Sequence, residues 1–349
     1  MTFHGSAKYN SRLFEKMAIH EGTIEALPAG LGETPRVWST KKRAGDTIYY
    51  WVLVAAAVSV LLVIAGLIYE LVSGSQKSIA AFGLHFFMDS SWDPNGNHFG
   101  ALPFILGTLY SSFWALVIAL PISVFTAIFL SEMAPSWLEK PMSFMVELLA
   151  AIPSVVYGLW GLFILQPFLV KYFEGPVSKG PLSALPIFGD TANGYDMLCA
   201  SVILAIMILP YITAVSRDIL HAIPRAVREA SYALGATRWE TIKGVVLPYA
   251  RAGIIGAVML GFGRALGETM AVTMVIGNAP VFKLNLFNSG YTLSSVIANE
   301  LAEASGLYRS ALIEIGLCLF IITLIVNAGA KLLIFYTAQD LNATGGGKK

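Results

Sequence analysis

The chain has 349 residues, of which 56% are hydrophobic and only 13% charged, with a mean hydropathy of +0.67. Soluble domains carry about 25% charged residues, so this composition excludes an ordinary water-solvated globule and fits a chain solvated by lipid. The net charge of +1, with basic residues in loops rather than on one face, gives no footing for nucleic acid.

Residues 1–47 are polar and of mixed charge, an N-terminal extension of open role. The apolar run 48–72 follows, about 25 residues long. A signal-peptide core spans only about 7–15 residues, so this run is expected to stay in the membrane. A crossing helix needs about 20 apolar residues, and five more stretches qualify: 103–129, 144–170, 197–214, 252–276 and 311–336. Pro121 and Pro153 are expected to kink the second and third, and Pro210 leaves the limits of the fourth least defined. Cys199 and Cys318 fall inside apolar runs, with no disulfide or zinc spacing, and read as buried, inert thiols. The expected architecture is all-α and polytopic, with about six spans over 48–340 and a tail at 341–349.

Lys and Arg counts in the loops set the orientation. With the N-terminus cytoplasmic, that side holds Lys8, Arg12, Lys16, Arg36, Lys41, Lys42, Arg43, Lys140, Arg217, Arg225, Arg228, Arg238, Lys243, Arg251, Lys331, Lys348 and Lys349. The other side holds Lys77, Lys171, Lys179, Lys283 and Arg309. Seventeen against five places both termini inside. The external segment 82–100 is rich in aromatics and turn residues, and reads either as an interfacial belt or as a docking point for an extracytoplasmic partner.

The cytoplasmic loop 221–250 carries the sharpest local pattern. Pro224 suits a helix start, and Gly235 the position past a helix end. Thr237 with Glu240 forms a T-x-x-E capping box for a second short helix, and Pro248 is expected to interrupt before the fifth span. The run E-A-S-x3-G-x9-V-x-L-P, from Glu229 to Pro248, resembles the EAA signature of ABC importer permeases, E-A-A-x3-G-x9-I-x-L-P. Ser231 and Val245 are the departures. That resemblance implies the type I ABC importer permease fold, with Glu229, Ala230, Ser231, Gly235, Leu247 and Pro248 in a coupling loop seated on a cytoplasmic ATPase. The chain has no phosphate-binding loop of its own: Gly74-Ser-Gln-Lys77-Ser is too short, and Gly345-Gly-Gly-Lys-Lys lacks the Ser/Thr and the strand. Hydrolysis is therefore left to a partner, and neither a catalytic residue, a metal nor a cofactor is expected here.

In the fifth span, Gly263, Gly267 and Ala271 read as a small-xxx-small stripe for close helix packing. Arg264 lies about 12 residues into that span, roughly 18 Å deep at about 1.5 Å per residue, with Glu268 one turn on along the same face. Each ionisable group at such depth costs at least ~2.5–3.5 kcal/mol. Two readings stand: a buried structural pair, or a polar element of a translocation pathway with Arg264 open to an anion. Glu147, a few residues into the third span, reads as snorkelling to the cytoplasmic interface or pairing with Arg264.

The run Gly263-Arg-Ala-Leu-Gly-Glu268-Thr-Met-Ala-Val resembles the fifth-helix segment of phosphate-specific ABC permeases. Gly100-Ala-Leu-Pro-Phe-Ile-Leu-Gly-Thr-Leu, Ala151-Ile-Pro-Ser-Val-Val-Tyr-Gly-Leu-Trp-Gly and Leu307-Tyr-Arg-Ser-Ala-Leu-Ile-Glu-Ile-Gly are similar to its second, third and sixth. The pattern is closer to the first of that family's two paired permeases. The resemblance implies a second homologous permease, a dimeric ATPase and an extracytoplasmic phosphate-binding protein as partners, with Arg264 and Glu268 associated with transport. The competing solutes are other oxyanions: molybdate, tungstate and sulfate. An ion-driven secondary transporter predicts inverted repeats, and none is clear. An intramembrane enzyme would need an Asp pair, H-E-x-x-H or G-x-S-x-G, and the spans hold none.

Overall fold

The computed structural model describes residues 44–188 and 194–345, so most of the N-terminal extension and the last four residues of the tail lie outside the described residues. Two compact units divide the chain, Met1–Leu62 and Val63–Lys349. Of the first, the described part is the opening of helix α1, Ala44–Phe82.

Among the described residues, six helices are long and apolar enough to cross a membrane. After α1 come α2 (Leu102–Ile128, continued by a π-helical turn Phe129–Met133) and a separate helix α3 (Ser136–Ala151). The third crossing helix is α4 (Ser154–Lys179), followed by α5 (Met197–His221). A short helix α6 (Arg225–Ala233) precedes α7 (Arg238–Gly267), which is followed by α8 (Met270–Val275), α9 (Leu293–Glu300) and α10 (Gly306–Gly345). Among the described residues a single small sheet pairs β1 (Trp92–Asp93) with β2 (His98–Phe99), antiparallel.

Within Val63–Lys349, α5 is the central helix. Of its most apolar stretch 67% is buried, against 28–33% for α2, α4, α7 and α10. Cys199, Ile203, Leu204, Ile208 and Ile212 form its buried stripe, and Cys318 is likewise buried and free. Asp196 starts α5 by accepting the Cys199 N–H at 2.8 Å. Burial, and after it the neighbouring Glu174, push the Asp196 carboxyl well above the usual carboxylate range. The end of α1 docks on α10 through small side chains. Ser310 Oγ donates to the Gly74 carbonyl at 2.8 Å and accepts the Ser78 N–H at 3.1 Å.

Three expectations about prolines and spans change. Pro153 breaks the expected third span instead of kinking it. Ile152 and Pro153 are extended (ψ 129° and 140°), so 144–151 belong to α3 and the crossing helix starts at Ser154. Proline disfavours helical backbone at the residue before it, which is where this helix stops. Pro248 interrupts nothing. A π-helical stretch, Ile242–Val246, shifts the hydrogen-bond register so that the Leu247 N–H donates to the Ile242 carbonyl, and Pro248 sits in the first turn of the helical run that follows. The expected span 252–276 instead ends at Gly267, where Glu268 turns extended (ψ 132°).

The two breaks meet. A Cβ on Gly158 in α4 would lie 2.5 Å from Met274 Sδ and 3.1 Å from Ala271 Cα in α8. Only glycine lets the helix after the Pro153 break lie this close to the helix after the Glu268 break. The segment 82–100 is folded, not spread: Phe86 and Phe99 are buried, Phe99 stacks on Tyr308 at 5.4 Å, and Trp92 Nε1 donates to Glu300 at 3.0 Å.

Candidate functional site

Two places gather the residues singled out in the sequence. The first is the tip formed by α6 and the start of α7. Gly235 adopts φ +85°, the left-handed turn anticipated for it, and joins the two helices. The capping box closes as expected: the Thr237 N–H donates to Glu240 at 2.8 Å, and the Glu240 N–H to Thr237 Oγ1 at 3.4 Å.

The six residues of the tip signature separate by environment. Glu229, Ala230 and Gly235 are exposed. Around them Tyr232, Trp239 and above all Leu234, 90% exposed, present apolar surface. Ser231 faces inward and shares a hydrogen bond with Thr241 at 2.9 Å. Leu247 packs against a core cluster of Ala127, Ile128, Leu220, Ile223, Ile242, Val246 and Ala250. Pro248 is exposed on α7, away from the Gly235 turn in sequence.

The second place is the end of α7. Arg264 and Glu268 do not share a helical face, because the helix ends between them. No carboxylate lies within ion-pair distance of Arg264 among the described residues. Its guanidinium instead sits over the Tyr211 ring of α5, 4.1 Å from the centroid, and its side chain is exposed. Leu260 and Gly267, four residues before it and three after, are exposed on the same face. Glu268 uses its main chain to accept Ser294 Oγ at 2.7 Å, and its Oε1 meets the Ala271 N–H at 3.5 Å. The expected glycine stripe is likewise cut. Gly267 has open space beside it, and Ala271 lies on α8 against Gly158.

Sequence reasoning missed the two tyrosines that shape this place. Tyr211 OH donates to the Ala150 carbonyl at 3.3 Å and Tyr157 OH to the Leu149 carbonyl at 2.8 Å, satisfying the open carbonyl end of α3. Glu147 pairs with Arg217 Nη2 at 3.2 Å, not with Arg264. Together with Lys140, Glu139, Asp218 and His221 they line a cleft of about 360 Å³ between α3 and the end of α5.

The family of binding-protein-dependent transport system inner membrane components matches residues 119–335. The phosphate transport system permease protein PstC of Pasteurella multocida (strain Pm70) is 47% identical over 281 residues, covering 80% of this chain and 88% of that one. Its counterpart in Haemophilus influenzae is 45% identical over 282 residues, covering 80% and 89%. A crystal structure of a bacterial alginate ABC transporter, in complex with an alginate pentasaccharide-bound periplasmic protein, aligns with a TM-score of 0.56 over 82% of this chain and 94% of that one. At 16% identity it shares the fold alone. With the matched region covering α5, α6 and α7 whole, this chain belongs to the binding-protein-dependent transport system inner membrane components and, among them, to the phosphate transport system permease proteins of the PstC type.

Proposed function

We propose that this chain is one of two paired membrane subunits of an ATP-driven phosphate importer, lying in the cytoplasmic membrane with both termini inside. A second, homologous phosphate permease completes the pathway. A dimeric ATPase docks on the α6 tip, and an extracytoplasmic protein delivers phosphate. The distribution of basic residues supports the orientation. The exposed Glu229 and Ala230, with Leu234 and Trp239 beside them, supply a docking surface of the mixed apolar and polar kind that partner proteins cover.

Arg264 carries the reading. A cation within a span costs at least ~2.5–3.5 kcal/mol against lipid, so its exposed face belongs to an aqueous path or to another subunit. Tyr211 covers one face of the guanidinium, while its N–H groups make no hydrogen bond among the described residues. Such a cation lowers the barrier to an anion without the closed cage of donors that would trap it. Tight recognition is left to the binding protein. Closure of the ATPase dimer moves α6 and reorients the spans, exposing the path alternately to each side.

The test is uptake by the assembled complex in vesicles, with the binding protein outside and ATP at the ATPase face. ATP-dependent entry of labelled phosphate is expected, undiminished by equimolar sulfate or molybdate. Entry of either competitor in place of phosphate would overturn the solute assignment.

A further inference from the structure

We propose that Arg228 and Glu132 form the link through which movement of the α6 tip reaches α2, so that the pair is a positioning device for coupling; the proposal rests on the importer reading above. Arg228 sits in the middle of α6 and Glu132 in the π-helical turn that ends α2. The guanidinium and carboxylate meet as a two-bond fork, Nε to Oε2 at 3.1 Å and Nη2 to Oε1 at 2.7 Å. Both side chains are largely shielded, with 16% of Arg228 and 7% of Glu132 exposed.

The same guanidinium also closes the end of α5. Nη1 donates to the Ile223 carbonyl and Nη2 to the Leu220 carbonyl, each at 2.7 Å. These carbonyls lie at and just past the helix end; the residue four on from Leu220 is Pro224, which has no N–H, and the backbone bond Leu220 does accept, from the Ile223 N–H, is longer at 3.3 Å. One side chain therefore fastens three elements: the tip helix, the end of α2 and the end of α5. Ser131 Oγ donates to Glu132 Oε1 at 3.2 Å and orients the carboxylate.

The remaining holds on α6 are few. Val227 packs against the apolar cluster of Ile128, Leu220 and Ile242, and Ser231 bonds Thr241 at the start of α7. Apolar packing lets neighbouring groups slide, because it has no preferred direction. A planar two-bond fork fixes both distance and angle. The fork is therefore what converts a displacement of α6 into a displacement of α2 rather than a slip. A lysine cannot replace it, since a single ammonium cannot hold the fork and both carbonyls in one plane. The charges cannot be exchanged either, because a carboxylate on α6 would face the Leu220 and Ile223 carbonyls with no proton to give.

The experiment measures phosphate moved per ATP hydrolysed in the assembled complex in vesicles, for wild type, Glu132→Gln, Arg228→Lys and both together. Each single variant is expected to assemble and hydrolyse ATP while moving at least about tenfold less phosphate per ATP, a loss of about 1.4 kcal/mol of coupling. The double variant is expected to lose no more than either single one. An unchanged ratio in the singles, or assembly lost in both, makes the pair merely structural and overturns the proposal. Wild type that hydrolyses ATP yet takes up no phosphate would instead remove the importer reading, leaving the two failures distinct.

Discussion

At the tip, Arg228 donates to a carboxylate and two backbone carbonyls at 2.7–3.1 Å; at the end of α7, Arg264 has the face of one tyrosine. The side chain is the same and so is the charge. In the first case four of the five guanidinium N–H donors are taken within the chain, which fixes geometry and leaves little to offer a ligand. In the second the donors stay open on a face that lipid would penalise. On the proposed reading, the fastened cation holds structure and the open one is offered to a passing anion.

The sharpest way to break that contrast is Arg264→Gln. It keeps a polar but shorter side chain and removes the positive charge. Phosphate uptake by the assembled complex is expected to fall at least about a hundredfold, roughly 2.7 kcal/mol of barrier at 1.36 kcal/mol per factor of ten. Assembly is expected to be unaffected, since no carboxylate pairs with Arg264 among the described residues. Uptake within twofold of wild type would return Arg264 to a packing role and erase the difference from Arg228.

At the tip, the corresponding probe is Gly235→Pro. The position requires φ +85°, and the proline ring fixes φ near −65°. The change also removes the N–H that donates to the Tyr232 carbonyl at 2.9 Å. The turn between α6 and α7 must then rearrange, moving Glu229 and Leu234 relative to α7. About a tenfold loss of coupled uptake is expected, with ATP hydrolysis no longer stimulated by loaded binding protein. Stimulated hydrolysis and normal uptake in the assembled variant would show that the tip does not couple.

The two regions also differ in how far the sequence disclosed them. The tip was legible because its determinants are local: a glycine for a left-handed turn, and a threonine and a glutamate three residues apart that cap each other. The number and type of spans were legible from apolar run length alone. The end of α7 was not. Alanine, leucine and methionine around Glu268 suit a continuous helix, and a single glycine, Gly267, only weakens it, yet the chain turns extended there. There the Glu268 carbonyl meets Ser294 Oγ, and α8 is drawn against Gly158 in α4. Tertiary contacts over 26 and about 110 residues of separation override helix propensity, and no window on the sequence contains them. Pro248 misled for the opposite reason. The π-helical stretch before it removes the need for the missing N–H, and nothing in the residues themselves announces that register shift. Glu132 was hidden because its partner lies 96 residues away.

The finest test separates the two functions of Tyr211, which the sequence could not have ranked. Its ring lies under Arg264, while its hydroxyl donates to the Ala150 carbonyl at the end of α3. Tyr211→Phe keeps a ring and drops the hydroxyl; Tyr211→Leu drops both. If the ring is what holds the guanidinium toward the pathway, Leu loses about 1–2 kcal/mol of cation–ring attraction. Uptake then falls about five- to thirtyfold at 1.36 kcal/mol per factor of ten. Phe is expected to stay within about threefold of wild type, because the bond it loses is long at 3.3 Å and Tyr157 still ties the same end of α3 through the Leu149 carbonyl. Equal losses in the two variants would assign the effect to α3 rather than to Arg264. The exposed arginine would then owe its position to α7 itself, and its contrast with the fastened Arg228 would rest on its open donors without help from the tyrosine beneath it.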